Sequence, residues 1–394
     1  MKKFTLFFAA LVASVAMFAE VTVEKLVQVT PATPVYDIAV SPDGKSLYAA
    51  KKDVAVEVYD AATLTLKASL KDPAKKPSYG SSLAVDDNGA IYTAYALING
   101  TTDVIVYKWA DETADATEFV NLGQSGTYGI ANAFRSGYGF DVKINKDGNG
   151  FILYPVPAYK NAEGEVVAGA SVVYVPVTNN VAGTPQLLTL SETNWGLYPD
   201  VTIVDETTFW YDANNVLPQL CTLALTDGVA SVTSVKSFPT DLTEPVIVGL
   251  AVGITDFELA GTRYVAVGTN NHGNTNNGQL YKNLAMLAEI DVEETISATW
   301  LTQLPEGGFG TATNDVAAVR AAHYVNGNEA WVWTNAKSNG MAVLKVTAPA
   351  EDDDTTTAVD NTVVAPQVQK VLRNGQVLII RDGKMYNLVG QVVE

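Results

Sequence analysis

Cysteine is almost absent from this chain. The only cysteine, Cys221, lies in the apolar run 219–225 of a 394-residue sequence. A single cysteine excludes an intramolecular disulfide and a zinc site built from cysteine pairs, and it leaves no thiol near the N-terminus for lipid attachment. Stability therefore has to come from a large core. We predict that Cys221 is a buried structural thiol and not a nucleophile.

Histidine is nearly as scarce, and the common catalytic motifs are missing. The two histidines, His272 and His323, have no metal-ligand spacing, and neither a Gly-x-Ser-x-Gly elbow nor a sialidase-type Asp box occurs. Residues 145–150 begin like a calcium loop, but the twelfth position is Val156, which favours a β-turn. The sequence thus provides no catalytic residue set. For His323 a core or channel position is favoured over a ligand role.

Basic residues are outnumbered by acidic ones. The chain has 25 lysines and arginines against 43 aspartates and glutamates, and its formal net charge is −18. This excess of negative charge argues against nucleic acid and against an anionic membrane surface as partners. It suits an exported protein, including one that uses a divalent cation, but acidity alone does not define a metal site.

Long apolar runs are absent after the N-terminus, so no transmembrane segment is predicted. Met1–Lys3 is basic, Phe4–Ala13 is apolar, and Ala16 and Ala19 are small residues suited to cleavage. We therefore predict a signal peptide over residues 1–19 and export to the cell surface or the extracellular medium.

The body of the chain consists of short alternating runs rich in Val, Thr, Tyr and Ile, separated by Gly, Asn, Asp and Pro turns. An apolar residue followed four positions later by glycine recurs along the sequence. The pairs are Val40/Gly44, Val85/Gly89, Ile144/Gly148 and Phe257/Gly261, with His323/Gly327 as a variant and Ile203 in the remaining position. Six such units in series predict an all-β fold, a six-bladed β-propeller.

The six blades are predicted over residues 36–71, 79–122, 137–190, 197–238, 246–303 and 316–347. The sixth has only three strand-like runs, whereas Val21–Val29 precedes the first blade as an unpaired strand. Because a ring has to close and an exposed sheet edge is a liability, we predict that Val21–Val29 forms the outer strand of the sixth blade. The propeller domain is thus predicted over residues 20–347.

The end of the chain has a different character. Residues 348–369 are acidic and rich in Thr without periodicity, which predicts an extended linker. Residues 370–394 contain short strands around Asn374-Gly375 and Asp382-Gly383, which are strong hairpin signals. Such a small β-hairpin module is not stable alone in water. We interpret it as a handle or an address and not as an active site.

Two stretches resemble known families. Ser41–Tyr48, with its Ser-Pro-Asp-Gly turn, resembles the blade motif of TolB-like and YVTN-type propellers, which implies fold alone. The matching tail positions are Asn374-Gly375-Gln376, Ile379-Ile380-Arg381, Asp382-Gly383-Lys384, Tyr386-Asn387 and Gly390-Gln391. This tail resembles the C-terminal sorting segment of type IX (Por) secretion cargo from Bacteroidetes-type bacteria. The resemblance implies the secretion machinery as a partner.

A propeller presents ligand-binding residues on the end of the ring that carries the loops between blades and the loops between second and third strands, here called the loop face. The predicted ligand-binding residues are Tyr36, Tyr79, Arg135, Tyr138, Trp195, Tyr198, Asp212, Asn214, Asn270, His272 and Asn335. Rings beside amides and carboxylates suit a glycan or a peptide, because rings stack on apolar faces and amides pair with hydroxyls or backbone groups. For any single tyrosine, packing around the channel is the alternative.

Three functions remain open from the sequence. The first is an exported, non-catalytic binding protein, which the missing catalytic set and the tail favour. The second is a propeller hydrolase or lactonase with a central divalent cation, with calcium as the candidate, held by acids. Those acids would be Asp200, Asp212, Glu244 and Asp315. The third is a structural surface or adhesion component.

Overall fold

The computed structural model of the chain describes residues 21–31, 33–51, 55–73, 81–95, 103–123, 136–157, 159–160, 166–191, 197–214, 216–239, 251–269, 275–276, 279–280, 284–309, 319–349, 369–373, 376–381, 384–386 and 392–393. Every regular element within these ranges is a β-strand, so they contain no helix that could cross a membrane. The predicted all-β class is confirmed. The chain divides into two compact units, Met1–Pro349 and Ala350–Glu394, which are described separately.

The first three blades are antiparallel sheets whose strands follow one another in chain order. Blade 1 contains Val35–Val40, Ser46–Lys51, Glu57–Asp60 and Leu66–Ser69. Blade 2 contains Ser81–Val85, Ile91–Tyr95, Val104–Trp109 and Thr117–Gly123. Blade 3 contains Asp141–Ile144, Gly150–Val156, Ala170–Thr178 and Gln186–Ser191, with the short strand Val181–Ala182 also paired to its third strand. A two-stranded ribbon, Tyr159–Lys160 with Val166–Ala168, connects the second and third strands of blade 3.

Blades 4 and 5 repeat this arrangement, and blade 6 supplies three strands from its own segment. Blade 4 contains Leu197–Ile203, Thr208–Asn214, Val216–Thr226 and Val229–Ser237. Blade 5 contains Ala251–Leu259, Thr262–Thr269, Leu284–Val292 and Ile296–Leu304, with the ribbon Thr275–Asn276 and Gln279–Leu280 between its second and third strands. Blade 6 contains Val319–Asn326, Glu329–Ala336 and Gly340–Thr347.

The fourth strand of blade 6 is Thr22–Val29, which pairs antiparallel with Gly340–Thr347. Thr22 lies opposite Thr347 and Val29 opposite Met341, with a register shift between Lys25 and Val27. The predicted closure by the N-terminal strand is therefore confirmed. The physical reason is the one that the sequence indicates: the third strand of blade 6 would otherwise present unpaired N–H and C=O groups.

Tight turns between first and second strands follow from short polar side chains. Ser41 Oγ accepts hydrogen bonds from the N–H groups of Lys45 and Ser46, and Gly44 N–H donates to Ser41 O at 2.9 Å. Gly44 adopts a φ of +69°, a left-handed conformation that glycine reaches without strain. In blade 3, Asn145 Oδ1 accepts from Asp147 N–H and Asn149 N–H at 3.0 Å, which makes 145–150 the β-turn that was predicted.

Each of the six interfaces between neighbouring blades holds its own apolar cluster. Large aromatic residues anchor several of them: Trp333 Nε1 donates to Ala61 O at 2.7 Å between blades 6 and 1, and Trp109 Nε1 donates to Lys71 O at 2.8 Å between blades 2 and 1. Cys221 is fully buried between blades 3 and 4, as predicted. Because the first strands of successive blades touch around the whole ring, they enclose the central axis.

The C-terminal unit forms a small antiparallel sheet of four strands in chain order. They are Gln369–Arg373, Gln376–Arg381, Lys384–Tyr386 and Val392–Val393. The first pair places Gln369 opposite Ile380 and Arg373 opposite Gln376. The predicted β-hairpin module is confirmed, while the turns at Asn374-Gly375 and Asp382-Gly383 lie outside the described residues.

Candidate functional site

The first strands of all six blades line one cavity on the ring axis, with a volume of about 210 Å³. The exposure of the side chains in its wall changes along these strands. Asp37, Asp200 and Arg320, near the strand starts on the loop face, are buried, with 6%, 6% and 3% of their surface exposed. Ile203 and His323, further along their strands, keep part of their surface exposed. The cavity is therefore closed towards the loop face and open towards the opposite end, here called the turn face.

Arg320 closes the cavity by reaching across the axis. Its Nη2 donates a hydrogen bond to the backbone carbonyl of Tyr138 at 2.8 Å, from blade 6 to the segment that leads into blade 3. Its Nη1 lies 3.2 Å from Asp200 Oδ2 of blade 4, and its Nε lies 3.6 Å from Asp37 Oδ1 of blade 1. One guanidinium thus contacts three other blades. A planar group with five donors suits such a junction, whereas a lysine ammonium is a single point charge.

Three carboxylates also connect neighbouring blades through backbone N–H groups. Asp37 Oδ2 accepts from Leu83 N–H of blade 2 at 2.8 Å, and Asp141 Oδ2 accepts from Ile203 N–H of blade 4 at 2.7 Å. Asp212 Oδ2 accepts from Gly253 N–H of blade 5 at 3.0 Å. Each of these acids therefore joins its own blade to the next one in the ring, a hydrogen bond to a charged group that is stronger than a neutral one.

Burial sets the protonation behaviour of these acids. It raises the pKa of Asp37 to about 7, against the opposing effect of Arg320, and raises the pKa of Asp141 to about 7, against the N–H groups of Ile203 and Val142. Burial also raises the pKa of Asp200, and burial together with the charge of Asp200 raises the pKa of Asp212 well above its usual value. Burial thus outweighs the charge of Arg320, and the pKa of each of these four acids lies above that of an ordinary aspartate.

Five of the predicted ligand-binding residues come together at this closed end. Tyr138 and Tyr198 pack edge to face with ring centroids 4.8 Å apart, and Tyr36 lies under the Lys337 ammonium, 4.6 Å from its ring centroid. Asn335 Nδ2 donates to Val35 O at 3.0 Å, and Asp212 lies opposite Asp200 in the sheet of blade 4. All five side chains are at least nine-tenths buried. They build the floor of the loop face, beneath any ligand surface.

The other predicted residues divide into two groups. Asn214 ends the second strand of blade 4 opposite Leu197, at the loop-face edge. The remaining residues, of both the ligand-binding and the metal prediction, lie outside the described residues: Tyr79, Arg135, Trp195, Glu244, Asn270, His272 and Asp315.

Two of the four acids of the alternative metal hypothesis, Asp200 and Asp212, lie among the described residues. Asp200 faces the Arg320 guanidinium, which takes the place that a central cation would need, and Asp212 lies beside it. Among the residues that the structure describes, no group of three or more His, Cys, Asp or Glu side chains is arranged to hold a metal ion. The metal hypothesis also rests on Glu244 and Asp315, which lie outside the described residues.

Sequence reasoning placed His323 in a core or channel position, and the structure places it in the channel wall. Its Nδ1 lies 2.6 Å from Thr255 Oγ1, and its ring centroid lies 5.3 Å from that of Phe257. Burial lowers the pKa of His323 to about 4, so the imidazole is neutral at physiological pH.

Arg320, Asp37 and Asp141 were not singled out from the sequence. The available signal was a charged residue at or near the start of a predicted first strand: Asp37 follows Tyr36 directly, and Asp141 follows Phe140. Charged side chains at such a position are buried only when a ring encloses them. The spacing along the chain does not reveal which of them meet.

No protein-family profile and no curated protein matches this sequence. Among solved structures, the chain is similar to a DUF4623 family protein from Bacteroides eggerthii, with 15% identity, a TM-score of 0.61, and coverage of 84% of this chain and 75% of that one. It also aligns at 10–11% identity with U3-55K and with the RRP9 WD40 repeats, with TM-scores of 0.45 and 0.46. At this identity the first likeness shows the propeller fold alone.

Proposed function

We propose that this chain is an exported binding protein, displayed on the cell surface or secreted, which recognises a glycan or a peptide on its loop face. The observation that carries the proposal is the gathering of Tyr36, Tyr138, Tyr198, Asp212 and Asn335 around Arg320 at one end of the ring. A braced floor of this kind fixes the relative positions of the described strand ends at the loop face, and a preorganised scaffold lowers the entropic cost of binding.

The electrostatics of this end favour binding over catalysis. Arg320 is enclosed by Asp37, Asp200 and the Tyr138 carbonyl, so its positive charge is committed to holding the ring together. The neutral His323 faces the cavity on the other side of this cluster. Thr255 Oγ1 lies 2.6 Å from His323 Nδ1, and this hydroxyl–imidazole pair belongs to the cavity and not to the five buried residues at the loop face.

In this proposal the C-terminal module is the export address. Its sequence carries the residues that resemble a type IX sorting segment, and the N-terminal segment carries the signal-peptide pattern. Deletion of residues 370–394 in a bacterium that has this secretion system is expected to leave the protein in the periplasm. Surface or extracellular recovery of the deletion variant at the level of the full chain would contradict the address role.

A glycan and peptide array with the purified full-chain protein tests the binding role. Trp195→Ala and His272→Ala, two predicted ligand residues, should each weaken every positive interaction at least about tenfold, the effect of losing one good contact. Leu225→Ala serves as the control, because Leu225 is 56% exposed near the end of the third strand of blade 4, away from the loop face. Equal losses in all three variants, or binding that none of them alters, would count against the loop face as the site.

A further inference from the structure

The open part of the axial cavity has a mixed lining that the loop-face proposal does not use. Asp141, the first residue of its strand, and Thr202 and His323, further along theirs, each line the cavity and keep part of their surface exposed. Thr202 Oγ1 donates to Ile254 O at 2.7 Å and retains lone pairs that can accept a further hydrogen bond. The partly exposed side chains of Val40 and Ile203 belong to the same wall.

The size of the cavity limits its occupant to a small molecule. A volume of about 210 Å³ holds about seven waters at their share of liquid volume, ~30 Å³ each. This volume lies below the range of ~300–1,000 Å³ in which drug-sized ligands bind. One ring-sized polar molecule is what such a space accommodates.

The charges of the lining exclude two ligand classes. Arg320 is the one basic side chain in the described lining, and its guanidinium is enclosed at the closed end by Asp37 and Asp200, so an anion would meet carboxylates without a free cation. A wholly apolar ligand would remove water from Asp141 and Thr202 without replacing its hydrogen bonds, which is costly. His323 is neutral because burial lowers its pKa to about 4, so it adds no positive charge.

An organic cation is less suited to this cavity than a neutral ligand, because of the ionisation state of Asp141. The Asp141 carboxyl already accepts hydrogen bonds from the N–H groups of Val142 and Ile203, and burial raises its pKa to about 7. Near neutral pH it is therefore only partly ionised, which weakens its attraction for an ammonium group. A hydroxyl can donate to the ionised carboxylate and accept from the protonated acid, so it pairs with either form.

We propose that the axial cavity binds a neutral polyhydroxylated molecule of the size of a single sugar ring, through hydrogen bonds to Asp141, Thr202 and His323 and through aliphatic contacts with Val40 and Ile203. The ligand enters from the turn face, because the Arg320 cluster closes the other end. This site is separate from the loop face, and either site can exist without the other.

Titration of the full-chain protein, followed by ligand-observed NMR and calorimetry, tests this site. The probes are glucose, galactose, mannose and myo-inositol, with glucuronate and glucosamine as charged analogues. We expect saturable binding of at least one neutral probe, and weaker binding of both charged analogues. Asp141→Asn should weaken that binding about tenfold, whereas Asp227→Asn, in an exposed turn of blade 4, should leave it unchanged.

His323→Phe provides a second variant, which keeps a flat ring in the wall while removing both nitrogens. It should also weaken the neutral probe, and it decides the matter if Asp141→Asn does not fold, as judged by circular dichroism. Three results would overturn the proposal: no saturable binding of any neutral probe to the folded protein, tighter binding of a charged analogue, or unchanged affinity in the folded cavity variants. If these variants still bind their ligand on the array, the loop-face proposal remains even though the cavity proposal has failed.

Discussion

Arg320 and Tyr138 are joined by a hydrogen bond of 2.8 Å that crosses the propeller axis, from the inner strand of blade 6 to the backbone that leads into blade 3. In a six-membered ring these two blades are opposite one another. The same guanidinium lies against Asp37 of blade 1 and Asp200 of blade 4. A single side chain therefore sets the spacing of four blades at the loop face and closes the channel there.

Removal of the Arg320 charge should destabilise the ring strongly. Arg320→Met leaves Asp37, Asp200 and Asp212 without their cation, and breaking a buried charge pair in this way typically costs about 3–5 kcal/mol. Denaturant unfolding of the full-chain protein measures the change. Lys45→Met is the matched control, because the Lys45–Asp43 pair is 79% and 56% exposed and pairs of that kind contribute about 1 kcal/mol or less.

A compensating change identifies the cause of that loss. The double variant Arg320→Met with Asp200→Asn removes one of the uncompensated carboxylates, so it should recover part of the stability that Arg320→Met loses. If the double variant is as unstable as the sum of the two single variants, the loss comes from packing of the arginine stem and not from its charge.

The stability of the propeller should fall as the pH rises from about 4 to about 7. The pKa of Asp141 is raised from 3.8 to about 7, so between these values the folded state binds a proton that the unfolded state has released. Unfolding free energy decreases with pH wherever the folded state holds more protons, and the effect is complete above the folded pKa. Asp37 contributes in the same direction, whereas His323, whose pKa is lowered from 6.5 to about 4, opposes the trend over part of this range.

Comparison of Asp141→Asn with the wild type isolates one of these groups. The stability of the variant relative to the wild type should improve between pH 4 and pH 8, by at most about 4 kcal/mol for a shift of this size. Denaturant unfolding at several pH values provides the measurement. A difference between the two proteins that stays constant over this range would show that the folded pKa of Asp141 is close to normal.

Cys221 should be unreactive in the folded protein. It is fully buried between blades 3 and 4, and burial raises the pKa of its thiol to about 12, so almost no thiolate is present at neutral pH. Ellman's reagent at pH 8 should modify it only after denaturant is added. Rapid labelling without denaturant would mean that the interface between blades 3 and 4 opens frequently.

The strand Thr22–Val29, which closes the ring, contains two neighbouring residues that differ in exposure. Val27 packs partly buried against the apolar cluster between blades 6 and 1, whereas Gln28 is exposed. Val27→Glu should cost about 1–3 kcal/mol, and Gln28→Glu should stay within about 0.5 kcal/mol of the wild type. Thermal unfolding of both variants decides this. Similar melting temperatures would indicate that Thr22–Val29 contributes little to the ring.

The ring itself could be predicted from the sequence because its information is local. The recurring turn after each first strand, seen at Gly44 and Gly148, marks the start of a blade, and an unpaired strand before blade 1 calls for a partner in blade 6. Both features depend on short-range patterns and on the rule that sheet edges are covered. Neither requires knowledge of which blades face one another.

The side-chain contacts at the centre of the ring could not be predicted, because they join residues that are far apart in the sequence. Whether Arg320 meets Tyr138, Asp200 or neither depends on blade order, on the tilt of the inner strands and on a side chain that spans the axis. Tyr36, Tyr138 and Tyr198 are buried at this end, which a sequence pattern does not reveal. The sequence places Asp200 and Asp212 near the channel mouth, but it does not show that Arg320, which is 120 positions further along the chain than Asp200, lies 3.2 Å from Asp200.

The pairing of Thr22 with Thr347 has a consequence for how the protein is made. The strand that the ribosome produces first within the propeller finds its partner only when the last blade has been synthesised. Contacts of such long sequence separation form late and slow the final stage of folding. A nascent chain that stops short of blade 6 therefore keeps Thr22–Val29 without a partner, and the completion of synthesis is also the event that permits the ring to seal.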